Sequence, residues 1–224
     1  IVTQPLPPLA YDIPKALLYS MGRLLAAFVL SLIWTIPMAI FIVENQKAQR
    51  FLIPFFEVAA AIPATALFPV IVLLVIQFTG DLNFGSILLL TTGMQWYLLF
   101  NAIIGTRKLS GDLELVAKSF HIRGWPYYKN FLLPAMAPSL ITGTMVAFGG
   151  GWNALFVSEY IVYGDKVYSA FGMGSLLSIA VYKLGSFKLI FLVLAAMIAA
   201  IFLVHRFVLR RLFNYAVRKY RMDY

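Results

Sequence analysis

The sequence predicts an all-α, polytopic membrane protein with about five spanning helices, and three observations carry that prediction. Hydrophobic residues make up 62% of the 224-residue chain, against roughly 45–50% in an average soluble domain. Charged residues make up only 12%, about half the usual share of ~25%. Long uncharged runs recur along the chain, and a helix needs about 20 mostly apolar residues to cross a bilayer core. A soluble globule of this size could not hide so much apolar surface. Disorder is excluded by the same composition, and a β-barrel by the lack of strand-length alternation. With no Cys in the chain, disulfides, thiolate metal sites and Cys nucleophiles are all excluded.

The spans follow in order. Leu24 to Val43 is 20 residues without a charge, Val58 to Gly80 is 23, Leu82 to Thr106 is 25 and Asn130 to Ser158 is 29. Leu189 to Val204 is only 16 residues long, but Lys188 and Arg206 can snorkel from its ends, and it counts as the fifth span. Val167 to Tyr182 has the same length and is interrupted by Gly172 and Gly174, which reads as a re-entrant or surface segment. Pro37, Pro63 and Pro69 are expected to kink their helices. Ile1 to Tyr11 is proline-rich, does not resemble a signal peptide, and reads as a connection from a further helix upstream. The chain divides into an external connection (1–16), one membrane core (17–208) with a cytoplasmic loop (107–134), and a basic cytoplasmic tail (209–224).

Orientation follows from the basic residues in the connections. Three segments fall on one side of a five-span layout: the loop with Lys47 and Arg50, the loop from Arg107 to Lys129, and the tail from Arg206 to Arg221. Together they hold 13 of the 18 basic residues, so that side is cytoplasmic. The charge is scattered over separate loops without a recognition module, which excludes a nucleic-acid partner. The amphipathic tail segment Arg210 to Arg221 suits the anionic inner leaflet, with contact to a cytoplasmic partner protein as the alternative.

The longest cytoplasmic connection reads as two short helices. The first starts at Gly111-Asp112, with acidic residues near its N-terminus. Gly124-Trp125-Pro126 breaks it, and the second runs to Leu133-Pro134. Within it, LELVAKSFHIRGWPYYKNFLLPAMAPSLITG resembles the signature loop of binding-protein-dependent ABC transporter permeases. Ala117 falls on the second alanine of that signature, and Leu133-Pro134 on its terminal Leu-Pro. SMGR (Ser20 to Arg23), PFFEVAAAIPATALFPV (Pro54 to Val70) and GGGWNALFVSEYI (Gly149 to Ile161) resemble the nitrate/sulfonate/taurine branch. The last of these is similar to the second half of double-length permeases. The signature glutamate position is Leu115, with Glu114 one place earlier, and the signature glycine is His121.

The resemblance implies a type I ABC importer permease fold in a multi-pass protein of the cell membrane. It further implies a second permease half, two ATPase subunits that bind ATP and Mg, and an external substrate-binding protein. This chain would bind no cofactor and catalyse no reaction. The surface implied for ATPase coupling comprises Glu114, Ala117, Lys118, Phe120, His121, Arg123, Gly124, Trp125 and Pro134. His121 in place of glycine, which permits a tight turn there, implies either altered local geometry or a degenerate half paired with a more typical one.

Arg23, Glu57 and Glu159 are ionisable residues in or near the spans, where such groups are costly and face the bundle interior. Arg23 and Glu159 fall toward the outer side, where they either pair, stabilising the bundle or latching its outer gate, or snorkel separately to headgroups. Gly149, Gly150 and Gly151 in the fourth span suit either close packing or local unwinding toward a path that Trp152 and Asn153 line. Gln95, with Thr91 one helical turn away, adds a polar stripe suited to interhelical hydrogen bonds or to a passage. The sequence contains no P-loop and no metal-ligand spacing. A secondary active transporter would need its coupling-ion site at Glu57 or Glu159. An integral-membrane enzyme would need clustered reactive groups, and the two histidines lie on separate segments.

Overall fold

Leu-, Ile-, Ala- and Phe-rich runs leave the backbone nothing but itself to bond with in a bilayer, and almost the whole chain is accordingly helical. The computed structural model describes residues 7–79, 81–107, 109, 111–163 and 165–220. A 3₁₀ turn at Pro8–Asp12 leads into α1 (Ile13–Glu44), followed by α2 (Gln46–Ala61), α3 (Ala64–Thr79), α4 (Leu82–Thr106) and α5 (Gly111–Ser119). Next come α6 (Trp125–Tyr127), α7 (Leu133–Ser158), a hairpin of β1 (Tyr160–Tyr163) and β2 (Lys166–Ser169), then α8 (Met173–Ile179), α9 (Phe187–Leu203) and α10 (Arg210–Tyr220). Among the described residues, four helical runs are long and apolar enough to cross a membrane, and α2 with α3 make a fifth if counted as one broken span.

Local chemistry marks the boundaries. Asn45 caps α2, its Oδ1 accepting from the N–H groups of Lys47 at 3.0 Å and Ala48 at 3.2 Å, as an N-cap side chain should. Ser186 caps α9 by accepting from the Leu189 N–H. Of the three prolines expected to kink helices, Pro37 and Pro69 lie inside continuous α1 and α3. Pro63 interrupts: the run Val58 to Gly80 is two helices that end and restart across Ile62-Pro63. A proline removes a helical N–H and pushes the residue before it out of the α region.

The chain forms two compact units. The first contains residues 1–30, 62–94 and 148–204, with Phe68, Leu82, Leu89 and Ala170 buried together against Ile71, Val157, Ile161 and Tyr168. Its hairpin is antiparallel, pairing Tyr160 with Ser169 and Tyr163 with Lys166. Strand β2 and helix α8 occupy the segment from Val167 to Tyr182 read as re-entrant or superficial, and β1 precedes it. The second unit contains residues 31–61, 95–147 and 205–224. There Ala39, Ile42, Leu99, Ala102, Ile103, Leu132 and Met136 form the core. Trp34, Phe56 and Trp96 pack over it with ring centroids 6.0–6.3 Å apart.

Candidate functional site

Two places in the molecule carry the residues singled out from the sequence. One is a buried polar centre in the first unit. Ser20 and Arg23 are three residues apart on α1, a spacing that puts them on one helix face. Glu159 directly follows α7 and is fully buried. Arg23 Nη1 lies 2.5 Å from Glu159 Oε1, and Ser20 Oγ donates to the same oxygen at 2.7 Å. The other carboxylate oxygen accepts from the Gly174 N–H at 2.8 Å. Ser20 Oγ also accepts from the Met173 N–H. Arg23 Nη2 donates to the Phe171 carbonyl at 2.6 Å and to Asn83 Oδ1 at 2.9 Å.

Asn83 passes the network outward by donating through Nδ2 to both oxygens of Asp81 at 2.9 Å. The Asn83 backbone N–H, and then its side-chain amide, hold the Asp81 carboxyl below its ordinary pKa. Of the two arrangements open to Arg23 and Glu159, the pair is the one present, and five further groups secure it. Among these partners Asn83, Phe171 and Met173 carry no signal in the sequence, whereas Ser20 belongs to the SMGR stretch and Gly174 to the interrupted apolar run. The interrupted run around Gly172 and Gly174 was the available signal. A Cβ on Gly172 would fall on the Glu159 carboxylate, and one on Gly174 on the Leu155 carbonyl. Only glycine lets this backbone approach so closely.

The fourth-span glycines do not unwind. Helix α7 is continuous through Gly149, Gly150 and Gly151. Gly151 is packed so that a Cβ would meet Met94 Sδ at 2.7 Å, whereas the Gly149 position is open. Trp152 is buried and its Nε1 has no partner among the described residues, while Asn153 is exposed. Gln95 is half-buried in the second unit. The neighbouring hydroxyls turn inward on their own helix: Thr91 donates to the Ile87 carbonyl and Thr92 to that of Leu89. Glu57 lies on an exposed face of α2.

The second place is the segment from α5 to α6. Ala117 is buried while Leu115, Val116, Phe120 and Trp125 are exposed, Phe120 at 75% and Trp125 at 69%. Lys118, Arg123 and Gly124 are also exposed, and Pro134 is half-buried. The side chain of Glu114 lies outside the described residues. The second short helix expected here is absent as a separate element: Trp125 to Ser158 is one 34-residue helical run, with a π turn at Tyr128–Leu132. Pro126 causes no break because it sits in the first turn, where its missing N–H has no helical partner.

Altered geometry, one of the two alternatives at His121, does not occur. His121 has φ +54°, the left-handed conformation that favours glycine. Its N–H donates to the Lys118 carbonyl at 3.0 Å, and the Ile122 N–H donates to the Ala117 carbonyl at 2.9 Å. These two bonds close a Schellman cap with histidine in the usual glycine position.

The fold resembles the MetNI methionine ABC transporter in an inward-facing conformation, with a TM-score of 0.78 at 13% identity. That likeness covers 95% of this chain and 99% of the solved one. By sequence, the chain is 24% identical to the nitrate import permease protein NrtB of Leptolyngbya laminosa over 70% of its length and 56% of the relative's. It is 25% identical to the bicarbonate transport system permease protein CmpB of Synechococcus elongatus, over 65% of this chain and 51% of that protein. Against the putative aliphatic sulfonates transport permease protein SsuC of Escherichia coli K12, identity is 28% over 52% of this chain and 43% of the relative. The chain thus spans about half the length of the curated relatives it matches. Residues 31–221 match the family of the binding-protein-dependent transport system inner membrane component, and the chain belongs to that family of multi-pass membrane proteins.

Proposed function

We propose that this chain is the membrane-spanning half of an ATP-driven importer, working by alternating access with a second permease half. Two ATPase subunits that bind ATP and Mg supply the energy, and an external binding protein delivers the cargo. The relatives' names specify nitrate, bicarbonate and aliphatic sulfonates, so the proposed cargo class is a small anion. The observation that carries this reading is the exposed apolar surface of Leu115, Val116, Phe120 and Trp125. Exposed large apolar groups spread over a short helix and the turn that follows it suit a protein interface, whose centre is rich in aromatics.

In this mechanism α5 docks into a groove of the ATPase, and closure of the ATPase pair moves it. The motion enters the helical run at Trp125 and travels to Ser158, a length of about 51 Å at 1.5 Å per residue. Glu159, which follows directly, transmits it to α1 and α8 through the buried centre. The Arg23–Glu159 pair then acts as the joint that keeps the outer ends of these elements moving together.

Phe120→Asp tests the reading. The side chain is exposed, so the variant keeps its unfolding temperature while co-purification with the ATPase subunits and cargo uptake fall by tenfold or more. Unchanged ATPase association and uptake would show that α5 does not dock.

A further inference from the structure

The basic face of α10 is absorbed by neither the buried centre nor the docking segment. Arg211, Asn214, Tyr215, Arg218 and Lys219 recur at spacings of three, four and seven residues and line a groove of about 410 Å³. Residues at such spacings share one side of a helix, and no carboxylate is among the five. Aromatic rings hold two of the cations in place. Arg211 lies over the Phe207 ring, its Cζ 5.7 Å from the centroid, and Lys219 lies 5.4 Å over the Tyr215 ring while donating to its hydroxyl. Ala216, on the opposite side of α10, is buried.

We infer that this groove binds the phosphate of an anionic phospholipid in the cytoplasmic leaflet. Charge complementarity comes first: two guanidinium forks and an ammonium converge with the Asn214 amide, and guanidinium groups match phosphate oxygens in bidentate pairs. Depth agrees. Counted along the chain from Lys188, at the outer end of the last span, Arg211 lies 23 residues on, a rise of about 35 Å. The hydrocarbon core is about 30 Å thick, which puts Arg211 at the level of the inner phosphates. Phe207 and Tyr215 are both at least half exposed, as suits aromatic side chains at a membrane interface. An acidic protein surface would satisfy the charge but has no need of the depth.

The test uses the full chain in its membrane assembly, reconstituted in nanodiscs of phosphatidylcholine with a minor fraction of phosphatidylglycerol. Retained lipid is counted by mass spectrometry after detergent extraction. The wild type is expected to enrich phosphatidylglycerol. The R211Q/R218Q/K219Q variant loses that enrichment by tenfold or more, since each surface cation contributes a factor of about five to binding at an anionic leaflet. R211K/R218K, which keeps the charge, retains most of it. Should the triple variant fail to fold, the wild type alone remains decisive, because enrichment must fall as salt screens the contact. Undiminished enrichment in a folded triple variant overturns the proposal, as does displacement of the lipid by millimolar inorganic phosphate. Loss of ATPase association with lipid enrichment intact overturns it in favour of a protein contact.

Discussion

Around Glu159 the protein buries full charges and surrounds them with donors, while from Leu115 to Trp125 it leaves large apolar groups uncovered. Each region breaks the ordinary rule of burial in the opposite sense. The buried centre is complete within this chain, since Arg23, Ser20 and the Gly174 N–H meet both oxygens of Glu159. The surface from α5 to α6 is incomplete, because none of the described residues covers Phe120 or Trp125. Self-sufficient polarity marks a structural joint, and unsatisfied apolar area marks a place for another molecule. Mutation should therefore act on folding in the first region and on association in the second.

The largest effect should come from breaking the buried pair. Glu159→Ala leaves the Arg23 guanidinium uncompensated and should cost about 3–5 kcal/mol, read as a fall in the denaturant midpoint of the membrane-reconstituted protein. Replacing both partners, as in R23M/E159L, should cost clearly less than the two single changes summed, because coupled sites are not additive. Simple additivity would dissolve the joint into two unrelated residues. Gly174→Ala comes next, at about 1–3 kcal/mol for overpacking, since its Cβ would meet the Leu155 carbonyl. Gly149→Ala, at an open helical position, is the control and should stabilise by up to about 1 kcal/mol. Equal losses at the two sites would show that the close approach at Gly174 is not what requires glycine.

The smallest effect belongs to the α5 cap. His121→Gly removes a left-handed strain of about 1–2 kcal/mol, partly offset by the greater freedom of glycine in the unfolded chain. A net gain of about 0.5 kcal/mol or less is expected, read as slower amide exchange at Ile122 with no change near Glu159. Faster exchange would mean that the imidazole itself supports the turn.

These cases also show where a linear sequence carries structural information. Spans were legible because a bilayer imposes length and apolarity on consecutive residues. The Arg23–Glu159 pair was legible only as one of two alternatives, because two lone charges at one depth can meet each other or snorkel separately to headgroups. Its backbone donors were not, since which N–H reaches a carboxylate depends on a close approach that glycines permit but do not specify. The β-hairpin escaped notice although its signal was there, β-rich YIVY and KVYS separated by Gly164-Asp165. Long apolar runs on either side dominated the pattern. At His121 residue type alone points to altered geometry, yet two backbone hydrogen bonds outweigh that preference and hold the left-handed turn.

Arg23 and Glu159 are 136 residues apart in the chain. At a synthesis rate of about 5–20 residues per second, roughly 7–27 s pass between their translation. Through that interval the first span must enter the bilayer carrying a guanidinium whose counter-ion does not yet exist. Arg23 lies about a third of the way along α1, close enough to an end of the span to snorkel to headgroups and water until the fourth span and the chain around Gly174 arrive. The same ion pair that joins the finished protein thus also sets a deadline for its assembly.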